Sequence, residues 1–506
     1  MAAINKIKKN RLKKLEAIRK AGFNPYPSKT KRTHCIFEVL SNFEKLEQEK
    51  KKVILAGRIR SIREHGKSCF LHFEDGSQRE PQAPSARIQA YFKQDVLGEE
   101  KYQFFLDNFD IGDFIEIEGV LFRTKTGERT ILASDFAILA KSLRPLPEKW
   151  HGLRDVEERY RKRYLDILMN PEVREVFQKR SKILKFLRQY LDKNGFLEVE
   201  TPILQPIYGG ASARPFITHL EALDTDFYLR ISDELYLKRL IVAGFDKVYE
   251  VSKDFRNEGI DRQHSPEFTQ IEFYWAYADY YDLMKFTEEM LCLLIKDVCG
   301  NLKIEFEGKK LDFNPPWRRI TYRDLILEHA GIDIDKAKTE KELKKAISER
   351  ELELDLSGLV GYGPVLDALY KEFCRSEIIQ PTFLIDHPVE LMPLAKRKAD
   401  DSSKIESVQL LVAGYELIKA YSELNDPQDQ RERWLEQEGL AKKGLEEHEV
   451  LDEDYIEALE YGMPPTAGWG IGIDRLTAIL TNQHSIRDVI LFPLMKPKEK
   501  PRTKIK

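Results

Sequence analysis

Arginine closes or follows two strand-like apolar runs in this chain. The first is Phe255-Arg256-Asn257-Glu258, followed shortly by His264-Ser265-Pro266-Glu267-Phe268; the second, far downstream, is Gly468-Trp469-Gly470-Ile471-Gly472-Ile473-Asp474-Arg475. A guanidinium fork held in a fixed place grips phosphate oxygens bidentately, while Phe268 offers a flat face to a purine. Glycines at every second position of the later segment leave one face of a strand bare, so that a nucleotide or a backbone can lie against it. Together these segments describe an ATP site that is neither a P-loop nor a Rossmann crevice. Carboxylates flank them at Glu234, Glu272 and Glu423. In Gln270-Ile271-Glu272-Phe273-Tyr274, strand alternation puts Glu272 and Tyr274 on one face. Carboxylates turned inward on a buried sheet are costly unless a cation neutralises them, and a lysine ammonium is such a cation. Taken alone, each glutamate reads as a surface charge, and His264 or Phe268 as core; their spacing inside the two segments points to a site.

The elements that must position these residues can be read more coarsely. At 506 residues the chain is long for one core, and about 150 residues per domain suggests roughly two to four. Charged residues make up 33% but the net charge is only -3, so no global basic field advertises nucleic acid and any RNA surface must be local. Short strand-like runs at 53–59, 70–73, 87–92, 114–122 and 130–133 are separated by turn signals. They suit a small all-β barrel of the oligonucleotide-binding (OB) type at 51–142, with 78–85 as a long connecting loop. Leu143-Arg144-Pro145-Leu146-Pro147 breaks the pattern and marks a linker at 143–160. Helical stretches at 157–168 and 173–194 follow, after which unequally spaced strands predict an α+β domain over 161–495. Its sheet should be mostly antiparallel, with a charged helical insertion near 325–375.

The first twenty residues carry eight Lys or Arg against Glu16, with Ile4, Ile7, Leu12, Leu15 and Ile18 near helical spacing. A basic amphipathic helix therefore opens a helical extension at 1–50, either docked on its own domain or also touching RNA phosphates. Residues 496–506 read as a basic disordered tail. Cys35, Cys69, Cys292, Cys299 and Cys374 show neither a zinc spacing nor a disulfide framework, which fits reduced thiols in a cytoplasmic enzyme. No apolar run approaches the ~20 residues that span a bilayer and no signal peptide is evident, so no membrane partner is expected.

The pattern Phe-Arg-x-Glu, a short loop, His-x-x-x-Phe, then alternating glycines ending in Asp-Arg resembles motifs 2 and 3 of class II aminoacyl-tRNA synthetases. The 173–194 helix leading through Gly195 into Phe196-Leu197-Glu198-Val199-Glu200-Thr201-Pro202 resembles motif 1. Within that class the chain is similar to the lysyl-tRNA synthetases through Gly209-Gly210-Ala211-Ser212-Ala213-Arg214-Pro215-Phe216, Tyr236-Leu237-Lys238-Arg239-Leu240, Tyr421-Ser422-Glu423-Leu424-Asn425-Asp426 and Pro464-Pro465-Thr466-Ala467-Gly468. The resemblance implies a class II antiparallel sheet flanked by helices behind an OB anticodon barrel, and a homodimer through motif 1. It implies a lysine–tRNA ligase that activates L-lysine with ATP and passes it to the 3′ end of tRNA(Lys), with Mg2+. Carried over residue by residue, it assigns Arg256 to the α-phosphate, His264 and Arg475 to the γ-phosphate, and both arginines to catalysis. Phe268 stacks on adenine and Glu258 takes its amino group. Glu234 and the Gly210 backbone hold the lysine α-amino group; Glu272, Tyr274 and Glu423 hold the ε-ammonium, with Tyr421 beside them. Glu416 is a magnesium carboxylate, and Phe70, Gln89 and Glu128 read the anticodon.

Three positions depart from that pattern. Ser407-Val408-Gln409 stands where the family shows Arg-Phe-Glu, Lys419 where it shows Asn after Glu416, and Gln263 where an arginine commonly precedes the histidine. One carboxylate lost and one cation gained moves the local charge by +2, which predicts fewer magnesium ions and leaves Lys419 to hold a phosphate or the lysine carboxylate. Rival readings are an aspartyl- or asparaginyl-type enzyme, a lysyl ligase acting on protein, and a weakly catalytic paralogue in RNA binding or nucleotide signalling. Cationic demands of an acidic substrate argue against the first, and the barrel against the second; lysine-dependent ATP–pyrophosphate exchange separates the third.

Overall fold

The computed structural model describes residues 2–77, 86–147, 153–444 and 449–498. The loop expected at 78–85, the middle of the expected linker and the tail from 499 onward lie outside the described residues. The chain forms two compact units, residues 1–178 and 179–506.

In the first unit β1 (Val53–His65), β2 (Ser68–Glu74), β3 (Arg87–Lys93), β4 (Phe114–Arg123) and β5 (Arg129–Ala140) close into a barrel in the order β1-β2-β3-β5-β4. Alternation turns Val53, Leu55, Leu71, Phe73, Ile115 and Ile117 inward. The helix Glu99–Asn108 packs against this core, where Phe105 meets Phe92, Phe109 and Phe136 at ring separations of 4.5, 5.1 and 5.6 Å. Residues before the barrel share its core: Ile18, Ile36, Val39, Phe43 and Leu46 are all buried in it. The helix Ala2–Lys20 is docked by Ile18 and by buried Arg11, which donates to the carbonyls of Ile111, Ser142 and Arg144. Ile4, Ile7 and Leu12 stay exposed. Past the barrel, the enclosed ammonium of Lys141 bridges Asp113 (2.7 Å) and Asp110 (2.6 Å), an ion triad that fixes where the chain leaves β5.

The second unit is built on an eight-stranded sheet: β6 (Leu197–Glu198), β7 (Lys247–Phe255), β8 (Glu267–Ala276), β9 (Arg318–Thr321), β10 (Thr382–Ile385), β11 (Ser407–Val412), β12 (Tyr415–Ser422) and β13 (Thr466–Gly472). Their order is β9-β10-β11-β12-β13-β8-β7-β6, antiparallel except for the outermost pair at each end. Period-two patterning divides its faces. Phe273, Ile418, Trp469 and Ile471 pack toward the helix Tyr280–Cys299, where Trp469 stacks on Phe273 at 4.8 Å and donates Nε1–H to Thr287. Gly468, Gly470, Glu272, Tyr274, Lys419 and Tyr421 line the cavity on the other face. That helix starts on an Asp279–Asp282 capping box and ends on left-handed Gly300, the conformation glycine adopts most cheaply. Helices at Tyr322–Ala330, Glu340–Glu349 and Tyr362–Phe373 form a satellite core with Leu325, Leu343, Ile347, Leu366 and Leu369. Among the described residues no helix is long and apolar enough to cross a membrane.

Gly119 lies beside a bulge between β4 and β5, where a Cβ would overlap the Leu132 carbonyl. Gly119→Ala is therefore expected to open this ladder at a cost of about 2–4 kcal/mol. Hydrogen exchange on the full chain should show faster exchange confined to β4 and β5. At Gly127, where nothing lies within 4 Å, the same change meets only backbone strain, about 1 kcal/mol.

Candidate active site

A cavity of about 1170 Å³ opens over the glycine face of β13. Its floor is set by register. Tyr421, Gly468 and Tyr274 lie opposite one another across β12, β13 and β8; so do Lys419, Gly470 and Glu272. The bare face is there, yet at Gly468 the space is filled by the protein itself: a Cβ would overlap Glu423 Oε1 and approach the Tyr274 ring to 2.6 Å. Glycine at 468 is what lets a carboxylate lie flat on the sheet.

The expected acidic residues converge. Tyr421 Oη donates to Glu234 Oε1 at 2.7 Å, Tyr274 Oη to Glu272 Oε2 at 3.2 Å, and Gln270 Nε2 to Glu272 Oε1 at 2.7 Å. Gly210, at φ 81°, brings its backbone against Ser232 and Glu234, where a side chain would crowd the Ser232 hydroxyl. Between Glu234 and Glu423 sits Lys238, fully enclosed, donating to Glu234 Oε1 at 2.6 Å and paired with Glu423 Oε2. Burial pulls its ammonium down, but Glu234 and Glu423 outweigh burial and hold it charged. One ammonium thus answers two of the three carboxylates, and Glu272 is not among its partners. The surplus appears in the titration: burial first, then Glu234, pushes Glu272 up to about 8, and burial pushes Glu423 well above the carboxylate range despite Lys238. Asp233, completely buried, meets no N–H or hydroxyl donor among the described residues and shares a hydrogen bond with the Glu272 carboxyl; burial followed by Glu272 raises its carboxyl as well. Below the pocket, Arg230 pairs with Glu250 at 2.6 Å and Asp254 at 3.0 Å, and Glu250 accepts from Thr201, tying the motif 1 segment to β7.

The arginines stand at the other end of the cavity. Arg256 lies 5.0 Å over the Phe268 ring, and both residues line the cavity. Arg475, in the helix Ile473–Leu480, donates to the Glu416 carbonyl at 3.1 Å and lies 3.3 Å from His264 Nε2, whose Nδ1 is held by Asp261 at 2.8 Å. Asp474 accepts from the Thr269 backbone and pairs with Arg180 at 2.6 Å, pinning this helix to β8 beside Phe268. Glu258 and Gln263 complete this wall. Of the two positions expected to hold magnesium, Glu416 is a carboxylate that lines the cavity. Gln409 shares the cavity, but its Oε1 lies 3.2 Å from Nε2 of buried His387, whose Nδ1 is 2.8 Å from Ser407 Oγ. Among the described residues no three His, Cys, Asp or Glu side chains group into a metal site. One ion shared between Glu416 and a ligand's phosphates fits this donor set, since magnesium keeps several waters and few protein carboxylates; a second protein-anchored ion does not.

On the barrel, Phe70 stacks on Tyr91 at 4.5 Å, outside the buried core. Gln89 Nε2 donates to Glu128 Oε2 at 2.7 Å and Gln89 Oε1 accepts from the Thr130 hydroxyl, while His72 Nε2 meets Glu128 Oε1 at 2.7 Å. These polar residues line an open pocket of about 480 Å³ with Arg87 and Arg129. An aromatic platform beside base-edge donors and acceptors is the equipment for single-stranded nucleic acid.

Sequence reasoning gave no role to Lys238, Asp233, His387 or Tyr91. The signal for Lys238 was available: it stands four residues after Glu234 on one helix, the spacing at which opposite charges meet. His387 had no local signal, because its partners Ser407 and Gln409 lie on β11.

Residues 155–496 match the family model described as "tRNA synthetases class II (D, K and N)", and residues 53–139 match "OB-fold nucleic acid binding domain". The chain is 51% identical to a lysine–tRNA ligase of Pelotomaculum thermopropionicum over 98% of this chain and 96% of the relative. It is 50% identical to the lysine–tRNA ligase of Carboxydothermus hydrogenoformans, over 98% and 99%. With the lysine–tRNA ligase of Thermotoga maritima the figure is 47%, over 98% and 97%. The antiparallel sheet with its arginine-flanked cavity, the OB barrel and these matches agree: the chain belongs to the class II tRNA synthetase family of the D, K and N type.

Proposed function

We infer that this chain is a lysine–tRNA ligase. The observation that carries the reading is the uncompensated acid of the cavity: Lys238 answers Glu234 and Glu423, and Glu272 is left over, facing the space in front of the arginines. An occupant must bring positive charge at one end and reach phosphates at the other. An acidic substrate would find Lys238 already enclosed between two carboxylates. An uncharged isostere would leave desolvated carboxylates unpaired, a penalty of several kcal/mol.

In the proposed reaction the lysine carboxylate attacks the α-phosphorus of ATP in line and pyrophosphate leaves. A terminal ribose hydroxyl of tRNA(Lys) then takes the lysyl group and AMP leaves. The nucleophile is the substrate's own carboxylate, so the protein's part is positioning and charge stabilisation. Arg256 and Arg475 stabilise the charge that develops on phosphate oxygens, with His264 beside Arg475. The Phe268 ring and the carboxylate of Glu258 take the adenine. Glu234 and the Gly210 backbone orient the α-amino group, and Glu272, Tyr274, Glu423 and Tyr421 surround the side chain. Mg2+ held between Glu416 and the phosphates would neutralise part of the triphosphate charge. Phe70, Gln89 and Glu128 read the anticodon. A cytoplasmic location belongs to this reading, supported by the five free cysteines. So does a homodimer, supported by Leu197, exposed on the edge strand β6, and by Leu204 and Ile217, exposed on a separate small sheet of three strands.

Three outcomes are expected. Amino-acid-dependent ATP–pyrophosphate exchange, run across the twenty amino acids, should respond to lysine at least ~10³-fold above methionine, and charging should follow with tRNA(Lys); exchange driven by aspartate, or none at all, overturns the reading. Lysine affinity should rise with pH. Glu272, raised to about 8, must lose its proton to receive a cation, so binding releases a proton and tightens by up to about tenfold per pH unit below that value, levelling above it. Calorimetry in buffers of different ionisation enthalpy measures that proton directly, and a flat affinity between pH 6 and 8 contradicts it. Finally, Leu204→Asp with Ile217→Asp should raise the dimer dissociation constant by about 10²–10³, seen as monomers in light scattering.

A further inference from the structure

Lys419 is the cavity's unexplained cation. It sits on β12 two residues from Tyr421, opposite Gln409 on one side and Gly470 on the other, with Glu272 opposite Gly470 in turn. Directly opposed residues of antiparallel strands share a face, and Gln409, Lys419 and Glu272 all line the cavity. A single row across the sheet therefore holds an amide, an ammonium, a bare glycine and a carboxylate. With strands about 4.8 Å apart, the Lys419 and Glu272 backbones stand about 10 Å apart over Gly470. Lys238 is enclosed by two carboxylates, whereas Lys419 is exposed to the cavity and forms no ion pair among the described residues. The position opposite it cannot supply a carboxylate, and the Gln409 oxygen is turned back onto buried His387.

We propose that Lys419 is a built-in counter-charge for the reacting anions: its ammonium binds the amino acid's carboxylate and the α-phosphate it attacks, where a second divalent cation would otherwise have to bind. This rests on the ligase reading. Substrate then lies along the row, its cationic groups toward Glu272 and its carboxylate toward Lys419, above a glycine that leaves the path clear. A protein ammonium at this point repels a metal ion, so the nucleotide complex carries one divalent ion per site.

The test counts ions rather than turnover. Full-length protein is titrated with Mn2+ in the presence of L-lysine and an ATP analogue carrying a methylene between its α- and β-phosphorus, and bound Mn2+ is read by electron paramagnetic resonance. The expected count is one per site, rising to two in the double variant Gln409→Glu/Lys419→Asn. Lys419→Met should weaken binding of that analogue in metal-free EDTA buffer by roughly 10–100-fold, with thermal unfolding little changed, because among the described residues the side chain makes no ion pair, and its interaction with buried Glu449 is a weaker electrostatic one. Two or more Mn2+ per site in the unaltered protein, or unchanged metal-free affinity in Lys419→Met, overturns the proposal. Absence of lysine-dependent exchange in the unaltered protein would instead remove the ligase reading while leaving the ion count interpretable.

Discussion

Too many carboxylates for the cations beside them is the condition around which the second unit is arranged. Lys238 pairs with Glu234 and Glu423, while Glu272, half-buried beside them, has no ion-pair partner among the described residues. Isolated buried charge of this kind is expensive, and the structure meets the expense by hydrogen bonds and by raised titration points rather than by more cations. Tyr274, Tyr421 and Gln270 each direct a donor at these oxygens. What remains is a wall whose acidic groups outnumber the ammonium that pairs with them.

Rigid placement comes from the sheet. Arg256 follows β7, Phe268 lies on β8 and Arg475 on the helix that continues β13, and these three strands are neighbours. Ladder register therefore fixes Phe268 and the helix of Arg475 relative to Glu272, and Arg256, one residue past its strand, is held by its backbone N–H to the Pro266 carbonyl. Beneath, Arg230 clamps β7 through Glu250 and Asp254; beside, Asp474 clamps the arginine helix to β8. A site assembled on adjacent strands is precise to the extent that the strands cannot slip, and a one-residue slip would turn Glu272 and Tyr274 into the core.

Much of this was legible in the residue order, for identifiable reasons. Arg256, Phe268 and Arg475 sit in short segments whose alternation alone sets the facing of their strands, so their convergence needed only antiparallel pairing. Glu272 with Tyr274 followed from period two. The barrel followed from short alternating runs, but that the helical extension expected at 1–50 contributes Ile36, Val39 and Phe43 to the barrel's core was not legible; short helices give too few turns for a periodic signal to show which surface they cover. Lys238 was visible as a partner of Glu234 by helical spacing, yet its second partner, Glu423, lies far away in sequence, and only the folded sheet brings the two acids to one ammonium. His387 behind Gln409 belongs to the same class of contact, made by pairing between distant strands.

The glycines of β13 differ in how much change they can absorb. Every single-base alteration of a glycine codon that changes the residue to another amino acid introduces at least a Cβ atom. At Gly472 nothing lies within 4 Å of that atom, and at Gly470 it would rest in ordinary contact with the Glu272 side chain; at Gly468 it would occupy the place of the Glu423 carboxylate. Among the neighbours of the codon at 468 only the synonymous ones are therefore tolerated, whereas Gly470 and Gly472, on the same face of the strand, leave room for a Cβ.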